Sequence, residues 1–216
     1  MKKDKILIGI IWALLAAIFI MSIAFYPRLP EMVPSHWNAQ GEVDAYMSRF
    51  WGTFTAPLIM LGVVVLFLLI PKIDPLKENV NKFKGYYYEF VVAFLIFMLF
   101  MQVHTLLWSI GTKLNINIFI PIITGALFYF VGILLEKAKR NWFIGIRTPW
   151  TLSSDVVWDK THKIGALLFK LCGIISIIGA FFARYSMYFI LIPIIVSTVY
   201  LLAYSYVEYQ KQSKQR

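Results

Sequence analysis

The chain has 216 residues, of which 60% are apolar and 15% charged, with a formal net charge of +10 and a mean hydropathy of +0.71. A soluble domain has about 45–50% apolar and about 25% charged residues, so both quantities are displaced toward a membrane protein. They exclude a disordered chain, a disulfide-stapled secreted domain and a water-soluble enzyme.

Five charge-free stretches are long enough to cross a hydrocarbon core of about 30 Å: Ile6–Phe25, Phe50–Ile70, Phe90–Thr112, Ile116–Leu135 and Tyr185–Val207. A sixth, Ile164–Ala183, is interrupted by Lys170 alone. That lysine lies close enough to the start of the span to snorkel to the headgroups. The expected fold is all-α: a polytopic protein of six transmembrane helices. Residues 1–72 form a two-helix region with an outer loop at 27–49, and residues 73–216 a four-helix region with an inner loop at 137–163. Sixteen of the 21 Lys and Arg fall on the side of the N-terminus, Arg216 among them, and four on the other. This excess places both termini in the cytoplasm and the protein in the plasma membrane. It also accounts for the net charge without nucleic acid, for which no reading module is visible, and gives the inner face affinity for anionic lipids. The start resembles a signal peptide, with Ser22-Ile23-Ala24 in small-x-small form, but its apolar run is too long for one, which favours an uncleaved first span. A mature chain beginning at Met1 rather than Phe25 distinguishes the two.

The outer loop follows the first span. Pro27, Pro30 and Pro34 disfavour helix, so the chain leaves the membrane extended. Asn38-Ala39-Gln40-Gly41 reads as a turn with Gly41 at positive φ. The flanking Val33–Trp37 and Glu42–Tyr46 then pair as a short extracellular hairpin that brings His36 and Asp44 together. Two readings stand: His36, Trp37 and Tyr46 as an interfacial lid, or the loop as a recognition surface contacting a partner through His36, Trp37 and Asp44. His36 and Asp44 alone do not make a metal site, since zinc takes three or four protein ligands.

Within the third span, Gln102 and His104 are polar groups that need partners in the membrane. They serve either interhelical hydrogen bonding or a site facing a cavity. No acid lies mid-span, which weighs against proton-coupled transport.

The inner loop is the densest segment, from Asn141 through Gly145, Arg147, Thr148, Pro149, Trp150 and Thr151 to Trp158 and His162. Its three tryptophans suit a membrane edge. Pro149 holds Thr148 out of helical geometry, and Ser153 or Ser154 caps a helix running into the fifth span. On that helix Asp155, Trp158, Asp159 and His162 share a face. The cluster is either acid–base or metal-binding chemistry, or a solvated face balanced by a neighbour such as Arg147. Arg147 itself either anchors the loop to headgroups or makes a specific contact with a carboxylate, phosphate or aromatic ring.

The run Asn141…Gly145-Ile146-Arg147-Thr148-Pro149-Trp150-Thr151-Leu152…Val157-Trp158…Thr161-His162 resembles the signature of the SdpI family of bacterial toxin-immunity membrane proteins. The outer run Pro27…Pro30…Pro34-Ser35-His36-Trp37-Asn38…Gly41-Glu42-Val43-Asp44 resembles the domain of unknown function found at the N-terminus of such proteins. The resemblance implies toxin resistance: a membrane protein that protects its producer from a secreted antimicrobial toxin. It further implies signal transduction, in which the engaged protein sequesters an ArsR-type autorepressor at the membrane. The expectation is therefore an immunity protein with no cofactor and no metal, not an enzyme. The rivals are an integral membrane enzyme acting on a lipid or envelope substrate and a small-solute transporter.

Overall fold

With no water inside the bilayer to satisfy backbone groups, apolar stretches of this length resolve into helices. The computed structural model describes residues 2–214. Met1, on which the cleavage expectation bears, and Arg216, assigned to the inner side, lie outside the described residues. In chain order the elements are α1 (Lys2–Phe25), a 3-10 turn (Tyr26–Arg28), β1 (Met32–Trp37), β2 (Val43–Ser48), α2 (Arg49–Ile73) and α3 (Lys77–Ser109). They continue with α4 (Ile116–Lys137), the short α5 (Pro149–Ser153), α6 (Asp155–Gly179), a second 3-10 turn (Ala180–Tyr185) and α7 (Ser186–Ser213).

Among the described residues five helical stretches are long and apolar enough to cross a membrane, and the last, Asp155–Ser213, is α6 and α7 taken together. Inside their connecting turn Phe182 leaves helical geometry at φ −121°, ψ 56°. α7 then runs back along α6: Phe182 stacks on Phe189, Cys172 meets Ser197, Lys160 reaches Glu208 and Ser154 reaches Gln212. The stretch is an antiparallel pair, and the chain is a multi-pass membrane protein of six long helices.

The third helix is longer than its charge-free stretch. α3 begins at Lys77 rather than Phe90 because Val80, Phe83, Tyr87 and Tyr88 recur at helical spacing and bury. They join Ile11, Leu15, Met60 and Val64 in one core that packs α1, α2 and α3 together and continues into Leu134, Ala138, Ile144 and Trp158.

Proline explains how that unit is tied together. A proline at position i lacks the N–H that would bond the carbonyl of i−4. In α2, Pro57 and Pro71 leave the carbonyls of Thr53 and Phe67 without their helical donors. α3 supplies both: Gln102 Nε2 donates to the Thr53 carbonyl and to Ser22 Oγ of α1, each at 2.9 Å, and the Tyr87 hydroxyl donates to the Phe67 carbonyl at 2.9 Å. Gln102 therefore makes interhelical bonds and does not face a cavity.

In the other half, α4 and α6 are joined by close approach. A Cβ on Gly125 would strike the Gly173 carbonyl, and one on Gly173 would strike the Gly125 carbonyl. Small residues at both surfaces let the backbones touch, which maximises dispersion contact between helices in lipid. Lys170, the charge inside the sixth stretch, reaches Glu136 at the end of α4.

The functional segments gather at the two ends of this bundle. The hairpin and the start of α4 meet at one, through Asn117 Nδ2 donating to the Ala39 carbonyl. The α2–α3 connection, residues 138–148 and the last turns of α7 meet at the other, through Asp74 to Trp142 and Thr148 to Ser205.

Candidate functional site

At the hairpin end, Asn38 builds the turn: its Oδ1 accepts the N–H groups of Gln40 and Glu42 at 2.9 and 3.0 Å. Gly41 takes φ 81°, which L side chains rarely adopt. The strands pair antiparallel, with Pro34 opposite Tyr46 and Trp37 opposite Val43, and irregularities on both sides of His36. β1 begins one residue before its expected start, β2 begins one residue late and runs two residues further, and β2 passes into α2 with no residue between. The first proline departs from the extended expectation. Pro27 lies in the first turn of the 3-10 segment, a position that needs no N–H.

His36 Nδ1 and Asp44 Oδ1 stand 2.6 Å apart, with side chains 67% and 45% exposed. Trp37 turns inward instead, edge-on to His104 and Trp108 at 5.2 and 6.4 Å between centroids. His104 Nε2 faces the Leu114 carbonyl at 3.1 Å. A carbonyl only accepts, so the proton is on Nε2 and Nδ1 is a bare acceptor. That Nδ1 and the Trp37 indole N–H are both buried without a partner among the described residues. Beneath them Val33 is fully buried against Gly52, where a Cβ would overlap it. The hairpin is seated on the bundle, not suspended above it, while Tyr46 on β2 stays 49% exposed.

The loop end is sealed by hydrogen bonds. Asn141 is fully buried and uses all four of its side-chain positions. Its Oδ1 accepts from the N–H groups of Phe143 and Ile144, and its Nδ2 donates to the carbonyls of Lys139 and Ile144, all within 2.6–2.9 Å. An asparagine thus takes the place of a helix in holding an apolar loop together. Gly145 sits at φ 112°, and a Cβ there would fall on His162 and Trp158.

Trp158 and His162 are one turn apart on α6 and stack at 3.9 Å. Trp158 is fully buried, and its indole N–H donates to the Ala138 carbonyl at 3.0 Å. Of the three tryptophans expected at a membrane edge, this one is therefore core. His162 Nε2 accepts the Ile146 N–H at 3.0 Å, and Nδ1 faces the Trp158 carbonyl at 2.9 Å. One nitrogen accepts and the other donates, so this geometry holds a neutral imidazole in one tautomer.

The expected polar face of α6 is consequently divided. Asp155 pairs with Arg140 at 2.7 Å and Asp159 with Lys139 at 3.4 Å, while His162 points the other way, under the loop. Neither aspartate balances Arg147. Among the described residues no three of His, Cys, Asp or Glu gather closely enough to hold a metal ion.

Arg147 is exposed, and its Nη1 donates to the Trp142 carbonyl at 2.8 Å. It pairs with no carboxylate among the described residues. Beside it Trp142 and Phe143 are also exposed. Thr148 is extended at φ −92°, ψ 161°, as the following proline requires, and caps α5 reciprocally with Thr151. The Thr148 hydroxyl continues to Ser205 on α7 at 3.1 Å, and Trp150 meets Tyr206 edge-on at 5.1 Å. Ser154 is the cap of α6, its Oγ accepting from the Val157 N–H.

Sequence reasoning missed two residues here. Asp74, 2% exposed, accepts the N–H groups of Leu76 and Trp142 at 2.6 and 2.9 Å. Asn79 donates to the Arg140 carbonyl at 2.9 Å. The signal for the first was the Asp74-Pro75 dipeptide between two helices, a turn-forming pair whose side chain seeks backbone N–H groups.

Residues 137–205, from the last turn of α4 into α7, match the model of the SdpI/YfhL protein family. Residues 13–61, which span the second half of α1, the hairpin and the first half of α2, match a domain of unknown function, DUF1648. The chain is 29% identical to "Immunity protein SdpI" of Bacillus subtilis (strain 168) over 217 aligned residues that cover the whole of both proteins. It is also 35% identical to the "Uncharacterized membrane protein YbgB" of the same strain over 52 residues, 24% of this chain and 57% of that one. No solved structure matches. The signature loop, the helices it seals and the full-length likeness agree in what this chain resembles: the SdpI/YfhL protein family.

Proposed function

We propose that this chain is an immunity protein of the plasma membrane, protecting its cell from a secreted antimicrobial toxin, and not an enzyme. The observation that carries the reading is the full-length similarity to a protein named for immunity. The distribution of Lys and Arg supports six membrane crossings with both termini, and the Arg147 loop, in the cytoplasm. The hairpin then faces outward and offers the exposed His36–Asp44 pair to the toxin. At the other end Trp142, Phe143 and Arg147 form an exposed patch to which an ArsR-type autorepressor is drawn, and the basic surface around it meets anionic lipid headgroups. Signalling of this kind requires the toxin to bind two conformations of the bundle unequally. Asp155 and Asp159 are engaged by Arg140 and Lys139, an arrangement that suits charge balance better than catalysis.

The test is survival of toxin-sensitive cells expressing the wild type or Arg147→Ala at matched membrane abundance. Protection by the wild type alone supports immunity and the loop's part in it. Protection by both keeps immunity and moves the working surface to the hairpin end. Turnover or solute flux by purified protein, with no protection of sensitive cells, overturns the reading.

A further inference from the structure

Asp74 belongs to neither of the segments that carry the family matches, which cover 13–61 and 137–205. It closes α2: its N–H donates to the Ile70 carbonyl at 3.1 Å, and its own carbonyl accepts the Lys77 N–H that opens α3. Its carboxylate is buried and meets no lysine or arginine among the described residues. It is held by two backbone N–H groups, one local and one from Trp142, far along the chain. Trp142 donates its backbone N–H to Asp74 and receives the Arg147 guanidinium at its own carbonyl, on the next peptide unit. The backbone of a single residue thus joins the buried carboxylate to the exposed arginine.

From this geometry we infer that Asp74 is a positioning residue, the latch by which the hairpin-bearing half sets the Asn141–Arg147 loop. Three features lead there. A hydrogen bond to a charged acceptor is stronger than one between neutral groups. The latch sits at the far end of the helix into which β2 runs directly, so hairpin and latch are the two ends of one rod. Asn79, one turn into α3, holds the Arg140 carbonyl and fixes the approach to the same loop from the same side. Elsewhere the loop's hydrogen bonds run to α6 and α7 of its own half, through His162 and Ser205, while Ile144 packs into the core it shares with α1–α3. Asp74 and Asn79 supply its hydrogen bonds to the hairpin-bearing half. That this latch matters for immunity rests on the reading proposed above. That it positions the loop does not.

The experiment uses the full-length protein in membrane vesicles. Cys172 is the single native cysteine and is buried, so a Cys172→Ser background reports on one introduced thiol. Trp142→Cys places that thiol on the loop through an exposed side chain and leaves the backbone bonds in place. Gln40→Cys places a second, separate reporter at the hairpin tip. In Asp74→Asn the amide turns a donor toward one of the two N–H groups. Maleimide labelling of the Trp142→Cys thiol should then accelerate about tenfold, the factor expected for losing one hydrogen bond to a charged acceptor, with the Gln40→Cys thiol unchanged. Unchanged labelling at Trp142→Cys overturns the latch. Acceleration at both sites also overturns it, because it reports general loosening of the fold. If Asp74→Asn does not accumulate in the membrane, Asp74→Glu carries the same comparison, since it keeps the charge and misplaces the oxygens. Survival assayed on these strains separates the two claims: a loosened loop with intact protection keeps the latch and removes the loop from immunity.

Discussion

The two ends of the bundle solve the same problem, an irregular segment at a membrane boundary, in opposite ways. At the hairpin end the polar pair of the hairpin itself faces water: His36 and Asp44 meet in the open, and the contact with the bundle beneath runs through residues such as Val33 and Trp37. At the loop end the polar side chains face inward, and Asn141, Thr148, Thr151 and His162 spend their hydrogen bonds on the loop's own backbone. The hairpin end offers chemistry and the loop end offers shape. Substitution should accordingly weaken recognition at one and stability at the other.

Four substitutions probe that contrast, each read by reversible unfolding of the purified protein in mixed micelles. The largest effect belongs to Trp158→Ala, which removes a fully buried indole, its stack on His162 and its bond to Ala138. A loss of about 3–5 kcal/mol is expected, and a loss below about 1 kcal/mol would return Trp158 to the membrane edge. Gly145→Ala comes next at about 2–3 kcal/mol, combining a positive φ with a Cβ that lands on His162. If it is tolerated, the loop does not need this backbone. Gln102→Leu strands the carbonyl freed by Pro57 and should cost about 1 kcal/mol. The double variant with Pro57→Ala should recover part of that loss, and no recovery would refute the pairing of proline with side-chain donor. The smallest is His36→Ala: an exposed pair contributes about 0–1 kcal/mol, so the unfolding midpoint should barely move. A large shift there would erase the distinction between the ends.

Much of this was legible in the sequence, for identifiable reasons. The hairpin followed from proline spacing and from a turn in which Asn38 and Gly41 have few alternatives. The extended backbone of Thr148 followed from Pro149, and a cap at Ser153 or Ser154 from helix-start chemistry; the short α5 between them, with Thr148 as its cap, did not. Local rules of this kind act over a few residues and are visible along the chain. The fate of His162 was not visible. Helical spacing places it beside Asp155 and Asp159, and only the loop's return, permitted by Gly145, turns the imidazole away from them. Arg140 and Lys139 as the partners of those aspartates likewise depend on where α4 ends relative to α6. Asp74 was missed because its distant partner is a backbone N–H, and a backbone donor leaves no mark in a sequence.

The proline-freed carbonyls of α2 also bear on the order in which the protein is made. Thr53 and Phe67 receive their donors from Gln102 and Tyr87, so the first three helices satisfy these groups, one near each end of the second span, among themselves before α4 exists. Asp74 must wait for Trp142, 68 positions later, a delay of about 3–14 s at typical synthesis rates of about 5–20 residues per second. The group left waiting is the one at the end of the bundle, where water stands in as donor until the loop emerges. Biogenesis can pause between the halves without leaving these helix carbonyls unpaired in lipid.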